Sequence, residues 1–147
     1  MRYLLIAALL GVVGCVSDGR PSLLPNPDAN LNKTSAQFAA DAAKRQYESD
    51  APRGDSTEAR AEYELMSKRL DVVNLAGADW KDVEVWINHL YVVYVPTWQQ
   101  MEDKKFDFTM FYDRDGNHFE THGGEYPLQT VEIYHDGKLI QVTATAE

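Results

Sequence analysis

The chain has 147 residues and a formal net charge of −9, from 14 lysine and arginine against 23 aspartate and glutamate residues. This length suits one domain better than two, and the acidic balance argues against a nucleic-acid partner bound through a basic surface. Cys15 is the only cysteine, so the chain can form no internal disulfide.

The first fourteen residues differ in composition from the rest of the chain. Arg2 precedes an uninterrupted apolar run over residues 3–13. Such a run has the length of a signal-peptide core and is too short to span a bilayer, which needs about 20 residues. We therefore predict that residues 1–14 are a signal peptide. Its removal takes away Arg2 and no acidic residue, which changes the net charge from −9 to −10.

The end of the apolar run carries a specific motif. Val12-Val13-Gly14-Cys15 resembles the lipobox of bacterial lipoproteins. The resemblance implies cleavage between Gly14 and Cys15, a diacylglyceryl group on the Cys15 sulfur and often an acyl chain on the new amino group. An ordinary secretory signal followed by a chance cysteine is the alternative. Two or three acyl chains would anchor the protein stably in a membrane.

The residue after the lipidated cysteine helps to sort lipoproteins in bacteria with two membranes. Aspartate at that position favours retention in the inner membrane, whereas this chain has Val16 there. The resemblance thus implies the periplasmic face of the outer membrane. The segment 74–88 is similar to a strand–turn–strand pattern of uncharacterised bacterial lipoproteins, and this likeness implies no activity.

The region before residue 70 is predicted to contain a tether and a helical arm. Residues 15–33 are rich in proline, glycine and small polar residues, which predicts a flexible tether behind the lipidated cysteine. Residues 34–69 are predicted to be helical, with one helix from Thr34 or Ser35 to about residue 48. A second helix is expected from Ser56 or Thr57, because apolar residues recur at helical spacing up to Leu70.

Beyond residue 70 the apolar period changes to two. Val83, Val85 and Ile87 alternate with Glu84 and Trp86, which predicts a strand whose branched side chains face the core. Residues that tolerate positive φ mark tight turns between the strands: Asn88-His89, Asp115-Gly116-Asn117 and Asp136-Gly137.

About six short strands are predicted over residues 70–147. The fold class is therefore mainly β, a small antiparallel β-sandwich that is immunoglobulin-like in general shape and is preceded by one or two N-terminal helices. A small open barrel is the alternative. The cysteine and tryptophan spacing of true immunoglobulin domains is absent, so the likeness concerns architecture alone.

Two histidines in a glycine-rich loop are the best candidates for metal ligands. His118 and His122 are four residues apart, but no helix is predicted there and the zinc-protease pattern is missing. The acidic residues before them, which begin at Asp113, do not match a calcium-binding loop and are expected to form a hairpin turn. No metal site, cofactor or catalytic residue is therefore predicted.

The aromatic residues are the candidates for an interaction surface. Trp86 is expected on the strand face opposite Val85, so that Trp86, Trp98 and Tyr94 could bind a partner. The alternative is that the tryptophans fill the core and its corners, with Trp80 as the corner plug.

These observations predict a membrane-anchored lipoprotein that is not an enzyme. Its domain is expected to be an interaction or scaffolding module in the cell envelope, with a protein or a polysaccharide as partner. The alternative is a small envelope hydrolase or metal-dependent enzyme that uses the loop of His118 and His122.

Overall fold

The computed structural model of the chain describes residues 26–120 and 128–146. The predicted signal peptide, Gly14 and Cys15 lie outside the described residues, and so does His122.

The described chain is mainly β, as predicted, with eight strands and one α-helix. The strands are β1 (Ala59–Glu64), β2 (Arg69–Asn74), β3 (Trp80–Ile87), β4 (Tyr91–Trp98), β5 (Asp103–Asp107), β6 (Val131–His135), β7 (Lys138–Val142) and β8 (Ala144–Ala146), and the helix is α1 (Ser35–Ala42). Short 3₁₀ helices occupy Ala29–Leu31, Ser56–Glu58 and Phe108–Met110.

The strands form two four-stranded sheets. Sheet I has the order β5-β2-β1-β8 and sheet II has the order β4-β3-β6-β7. Neighbouring strands are antiparallel except for β1 and β8, which are parallel. One apolar core contains residues of both sheets, of α1 and of two of the 3₁₀ helices, Ala29–Leu31 and Phe108–Met110.

The period-two pattern of β3 is confirmed. Val83, Val85 and Ile87 are fully buried, and Val85 pairs with Val93 on one side and Ile133 on the other. Because successive side chains point to opposite faces of a strand, Glu84 and Trp86 lie on the other face of sheet II.

Two of the predicted turns close hairpins through left-handed backbone. Asn88 and His89 have φ values of 52° and 60° between β3 and β4, and Asp136 and Gly137 have 49° and 72° between β6 and β7. Asparagine, aspartate and glycine adopt this region most readily, which is why the sequence signal was specific.

The prediction of a helical arm over residues 34–69 is wrong beyond its first turns. Within residues 34–69 a single α-helix is present, and it ends at Ala42. Thr34 and Gln37 form a capping box at its start, which confirms the predicted N-terminus. The second helix is absent, since β1 and β2 form an antiparallel hairpin over the same residues.

The last part of the predicted tether belongs to the folded domain. Leu31 is 1% exposed and joins the core, and Asp28 forms an ion pair with the buried Lys104 of β5. The Asn26 side chain donates a hydrogen bond to the Lys105 carbonyl. Residues 26–33 therefore pack along the edge of sheet I.

Candidate functional site

The outer face of sheet II is covered by the chain itself. Residues 43–53, which follow α1, cross this face and are named the covering segment here. Within it, Tyr47 packs edge-on against Trp86, with 5.5 Å between the ring centroids. Trp86 is consequently 2% exposed. Its predicted face is correct, but the expectation of an exposed tryptophan is wrong, because a segment distant in sequence packs on it.

A buried carboxylate holds the covering segment to the sheet. Glu132 of β6 is 3% exposed, and its Oε1 accepts a hydrogen bond of 2.7 Å from Nη1 of Arg53. Its Oε2 accepts a hydrogen bond from the Tyr47 hydroxyl at 2.5 Å and lies 3.2 Å from Nε2 of His89. A buried charge is tolerated only when it is paired and hydrogen-bonded, and Glu132 meets both conditions.

Two partners of Glu132, Tyr47 and Arg53, are held in their donor forms. Burial and the hydrogen bond to Glu132 raise the pKa of Tyr47, so its hydroxyl stays protonated. The hydrogen bond to Glu132 is also the main reason that the pKa of Arg53 is raised. The His89 ring stacks on Tyr47 with centroids 4.8 Å apart, which ties the β3–β4 turn to the same cluster.

A second polar cluster lies beside the first on the same face. Nε1 of Trp86 donates a hydrogen bond of 3.0 Å to Glu84, and Nε of Arg45 lies 3.4 Å from Glu84. Burial raises the pKa of Glu84, and these two donors offset only part of that effect.

Tyr94 belongs to this second cluster. The Arg45 guanidinium lies 3.8 Å from the centroid of the Tyr94 ring, a cation–π contact. The Tyr94 hydroxyl donates a hydrogen bond of 2.7 Å to Asp82. Tyr94 is partly exposed, but its hydroxyl already bonds to Asp82 and its ring already contacts Arg45.

Trp98 and Trp80 lie in the apolar core. They are 0% and 2% exposed, and their rings meet edge-on with centroids 5.6 Å apart. Trp98 also packs against Phe106 of sheet I, and its Nε1 donates a hydrogen bond to the Glu102 carbonyl. The prediction of Trp98 as a surface residue is wrong. The chain turns back between β4 and β5, which places the Phe106 ring against Trp98. All three tryptophans are therefore buried, as the alternative predicted.

The arrangement offers one pair of groups suited to acid–base chemistry. His89 has a half-exposed imidazole whose Nε2 lies next to the buried carboxylate of Glu132, and a carboxylate in this position orients a histidine base. Nucleophilic catalysis also needs a hydroxyl or thiol beside that base. Among residues 26–120 and 128–146, no serine or threonine hydroxyl is hydrogen-bonded to His89.

The loop of His118 is only partly described. Nε2 of His118 lies 2.6 Å from the Glu120 carboxylate, and His122 falls outside the described residues. Within the described ranges, no group of three or more histidine, cysteine, aspartate or glutamate side chains could hold a metal ion.

The predicted turn at Asp115-Gly116-Asn117 is confirmed. Gly116 has a φ of 89°, and Tyr112 and His118 pair across the turn. The Asp113 carboxylate accepts hydrogen bonds from the backbone amides of Asp115 and Asn117 and from the Asn117 side chain. The Asp113 carboxylate thus stabilises the turn through these hydrogen bonds.

This turn predicts a measurable pH dependence. Burial raises the pKa of Asp113, but the hydrogen bonds from Asn117 and the neighbouring amides outweigh it, and the pKa is lowered. A lowered pKa stabilises the fold above the unfolded-state pKa of about 4, and the stabilisation is lost as the pH falls through the folded-state value. Asp113→Asn should therefore lower the free energy of unfolding by about 1–2 kcal/mol at neutral pH.

The test compares denaturant unfolding of wild type and Asp113→Asn across pH. The difference between them should shrink as the pH falls below about 4. Asp115→Asn is the matched control, since Asp115 is exposed in the same turn. A difference that is constant down to low pH would contradict the assignment.

The cluster around Glu132 could hardly be predicted from the sequence. Glu132 lies between Val131 and Ile133 in an apparently ordinary alternating strand, and its burial depends on Tyr47 and Arg53 of the covering segment. The one available signal was a charged residue in the middle of an apolar strand, which often has a partner in the fold.

Comparison with known proteins gives no relative for this chain: no family model matches, and no match was found among curated proteins or solved structures. Across the described residues, no helix has both the length and the apolar character needed to cross a membrane.

Proposed function

We propose that the chain is a bacterial lipoprotein, anchored through acyl chains on Cys15 after cleavage behind Gly14. The observation that carries this proposal is the motif Val12-Val13-Gly14-Cys15 at the end of an apolar run of signal-peptide length. By the sorting rule for the residue after the cysteine, Val16 favours the periplasmic face of the outer membrane.

The anchored domain is proposed to be an interaction or scaffolding module rather than an enzyme, with an envelope protein or a polysaccharide as its partner. We take it to be a β-sandwich, immunoglobulin-like in general shape. The contact between Trp98 of sheet II and Phe106 of sheet I supports face-to-face packing of the sheets.

The burial of Trp86 and Trp98 moves the proposed interaction surface away from them. A partner would have to displace the covering segment, with its bonds to Glu132 and Glu84, before it could reach Trp86. Of the three aromatic candidates, Tyr94 alone is partly exposed.

The anchor is tested by the change Cys15→Ser in the full-length chain. Wild type should stay with the membrane pellet after high-salt and alkaline washing, since a surface of net charge −10 does not hold to anionic lipid by charge. Cys15→Ser should lose this wash-resistant membrane association.

Ser17→Ala, two residues further on, is the matched control and should pellet like wild type. Equal membrane retention of wild type and Cys15→Ser after both washes would overturn the proposal.

A further inference from the structure

Exposed apolar side chains are concentrated in two hairpin turns. Five large hydrophobic residues of the described chain are more than one third exposed. Leu65 (52%) and Met66 (93%) belong to the β1–β2 turn, and Leu90 (51%) belongs to the β3–β4 turn. The other two, Leu75 and Met101, lie elsewhere.

The two turns lie at the same end of the domain although they belong to different sheets. The amide of Phe108 donates a hydrogen bond of 2.8 Å to the Lys68 carbonyl in the β1–β2 turn. The Phe108 ring contacts Phe119 at 5.1 Å between centroids, and Phe119 contacts Tyr91, the residue after Leu90, at 5.3 Å. This chain of contacts joins the turns, and we name Leu65, Met66 and Leu90 the apolar tip.

Leu75 and Met101 lie at the opposite end. The Met101 amide donates a hydrogen bond to the Asn74 carbonyl at the far end of β2. Leu75 and Met101 each lie beside an acidic residue. The Leu75 amide donates a hydrogen bond to the Glu58 carbonyl, and Glu102 follows Met101 in the chain. The apolar tip carries charges of both signs, because Glu64 precedes Leu65 and Lys68 is exposed close to Met66. The opposite end, with Glu58 and Glu102, is repelled by anionic lipid, whereas Lys68 offsets the charge of Glu64 at the tip.

The proposed anchor places the domain close to lipid. Only the ten residues 16–25 separate Cys15 from Asn26, and ten residues span at most about 35 Å. A folded chain of this size has a radius of gyration of about 14 Å, so this reach is little more than the width of the domain. Some part of its surface must therefore stay near the membrane.

The apolar tip lies close to Asn26, the residue at which the chain behind Cys15 joins the described domain. Asn26 is hydrogen-bonded to Lys105, which pairs with Asp71 of β2. Four residues of chain separate Asp71 from Met66, so their Cα atoms lie at most about 17 Å apart.

We infer that the apolar tip is a membrane-contact surface, and that Leu65, Met66 and Leu90 enter the interface of the bilayer that holds the acyl chains. This inference rests on the proposed lipid anchor. Exposed leucine and methionine side chains on two separate turns suit insertion into a fluid lipid interface. Contact through both turns would fix the orientation of the domain on the membrane.

The experiment places a reporter at each end of the lipidated full-length protein. Met66→Cys and Leu90→Cys report on the tip, and Met101→Cys, a residue 65% exposed at the other end, is the matched control. The acylated Cys15 sulfur is a thioether and does not react, so a maleimide carrying the NBD fluorophore labels one site. Each protein is reconstituted in phosphatidylethanolamine–phosphatidylglycerol vesicles that contain lipid with a spin label on its acyl chain.

We expect NBD emission at positions 66 and 90 to shift to the blue and to fall as the fraction of spin-labelled lipid rises, with no change at position 101. Equal, weak quenching at all three positions would overturn the inference, as would stronger quenching at position 101. If the NBD label at position 66 is shielded from water in native envelope membranes but not in lipid vesicles, the inference is overturned and the tip contacts a protein partner instead.

Flotation of the same vesicles separates the two proposals. If the labelled proteins float with the vesicles and the tip is not quenched, the anchor stands and the membrane-contact surface is wrong. If they do not float, the anchor itself is wrong, and the contact surface fails with it.

Discussion

Replacement of Trp86 by alanine should lower the free energy of unfolding by about 3–5 kcal/mol, the range for a large aromatic residue deleted from a packed site. Trp86 is 2% exposed, packs against Tyr47 and donates a hydrogen bond to the half-buried Glu84. The variant loses the ring contact and leaves Glu84 with Arg45 as its remaining partner. Thermal unfolding of the full-length protein in mild detergent should show a midpoint at least about 10 °C below that of wild type.

Trp86→Phe is the matched control for this prediction. It keeps an aromatic ring against Tyr47 but removes the indole N–H and part of the buried ring volume, so its loss should be about 1–2 kcal/mol, smaller than that of Trp86→Ala. If Trp86→Ala instead kept the wild-type midpoint, the covering segment would not be packed on sheet II, and Trp86 would return as a candidate for partner binding.

Removal of the charge on Lys104 should be the second large effect. Lys104 is 3% exposed, and its Nζ contacts Asp28 at 2.5 Å and Glu102 at 2.8 Å. Lys104→Met fills a similar volume but leaves the Asp28 carboxylate partly buried without its cation. Because loss of one partner from a buried ion pair is strongly destabilising, we expect a loss of about 3 kcal/mol, measured by urea unfolding.

The pKa of Asp28 gives the sign of the accompanying pH effect. Burial raises this pKa, but Lys104 and the amide of Asn30 outweigh burial and lower it. The stabilisation is present above the unfolded-state pKa of about 4 and is lost as the pH falls through the folded-state value. The difference between wild type and Lys104→Met should therefore diminish in acid.

A double variant separates the charge of Lys104 from its packing. Asp28→Asn retains an oxygen that can accept the Asn30 amide at the start of the first 3₁₀ helix and removes the unpaired charge. Combined with Lys104→Met, it should recover most of the stability, since a buried ion pair can often be replaced by neutral groups at little cost. A double variant no more stable than Lys104→Met alone would show that the ion pair does not hold residues 26–33.

The parts of the fold that could be predicted were those decided by local chemistry. Asn88-His89 and Asp136-Gly137 adopt positive φ because these residue types tolerate it. Thr34 and Gln37 cap α1 through contacts three residues apart. The alternation of Val83, Val85 and Ile87 needs only one buried face.

The prediction of the second helix was wrong because, over a short segment, the same apolar residues fit both the helical spacing and the strand spacing. Ala59 and Tyr63 are four residues apart, which fits a helix, yet Ala59, Ala61 and Tyr63 also fit the inner face of a strand. Pairing of β1 with β2 and β8 decides between them, and β8 lies about 80 residues away in sequence. Long-range pairing of this kind overrides local preference.

The candidate site could not be predicted for a related reason. Sequence alone correctly assigned Trp86 to the face away from Val85, but it could not show that Arg45, Tyr47 and Arg53 would bond to acidic residues on that face. Burial of an outward-facing residue depends on which other segment covers it. The sequence around Trp86 carries no information on that segment.

The mass of the intact protein extracted from its native membrane is the most direct measurement of how this chain is held there. The account predicts a polypeptide that starts at Cys15 and carries the added mass of two or three fatty chains at that residue. A free thiol at Cys15, or a first residue at any other position, would contradict it.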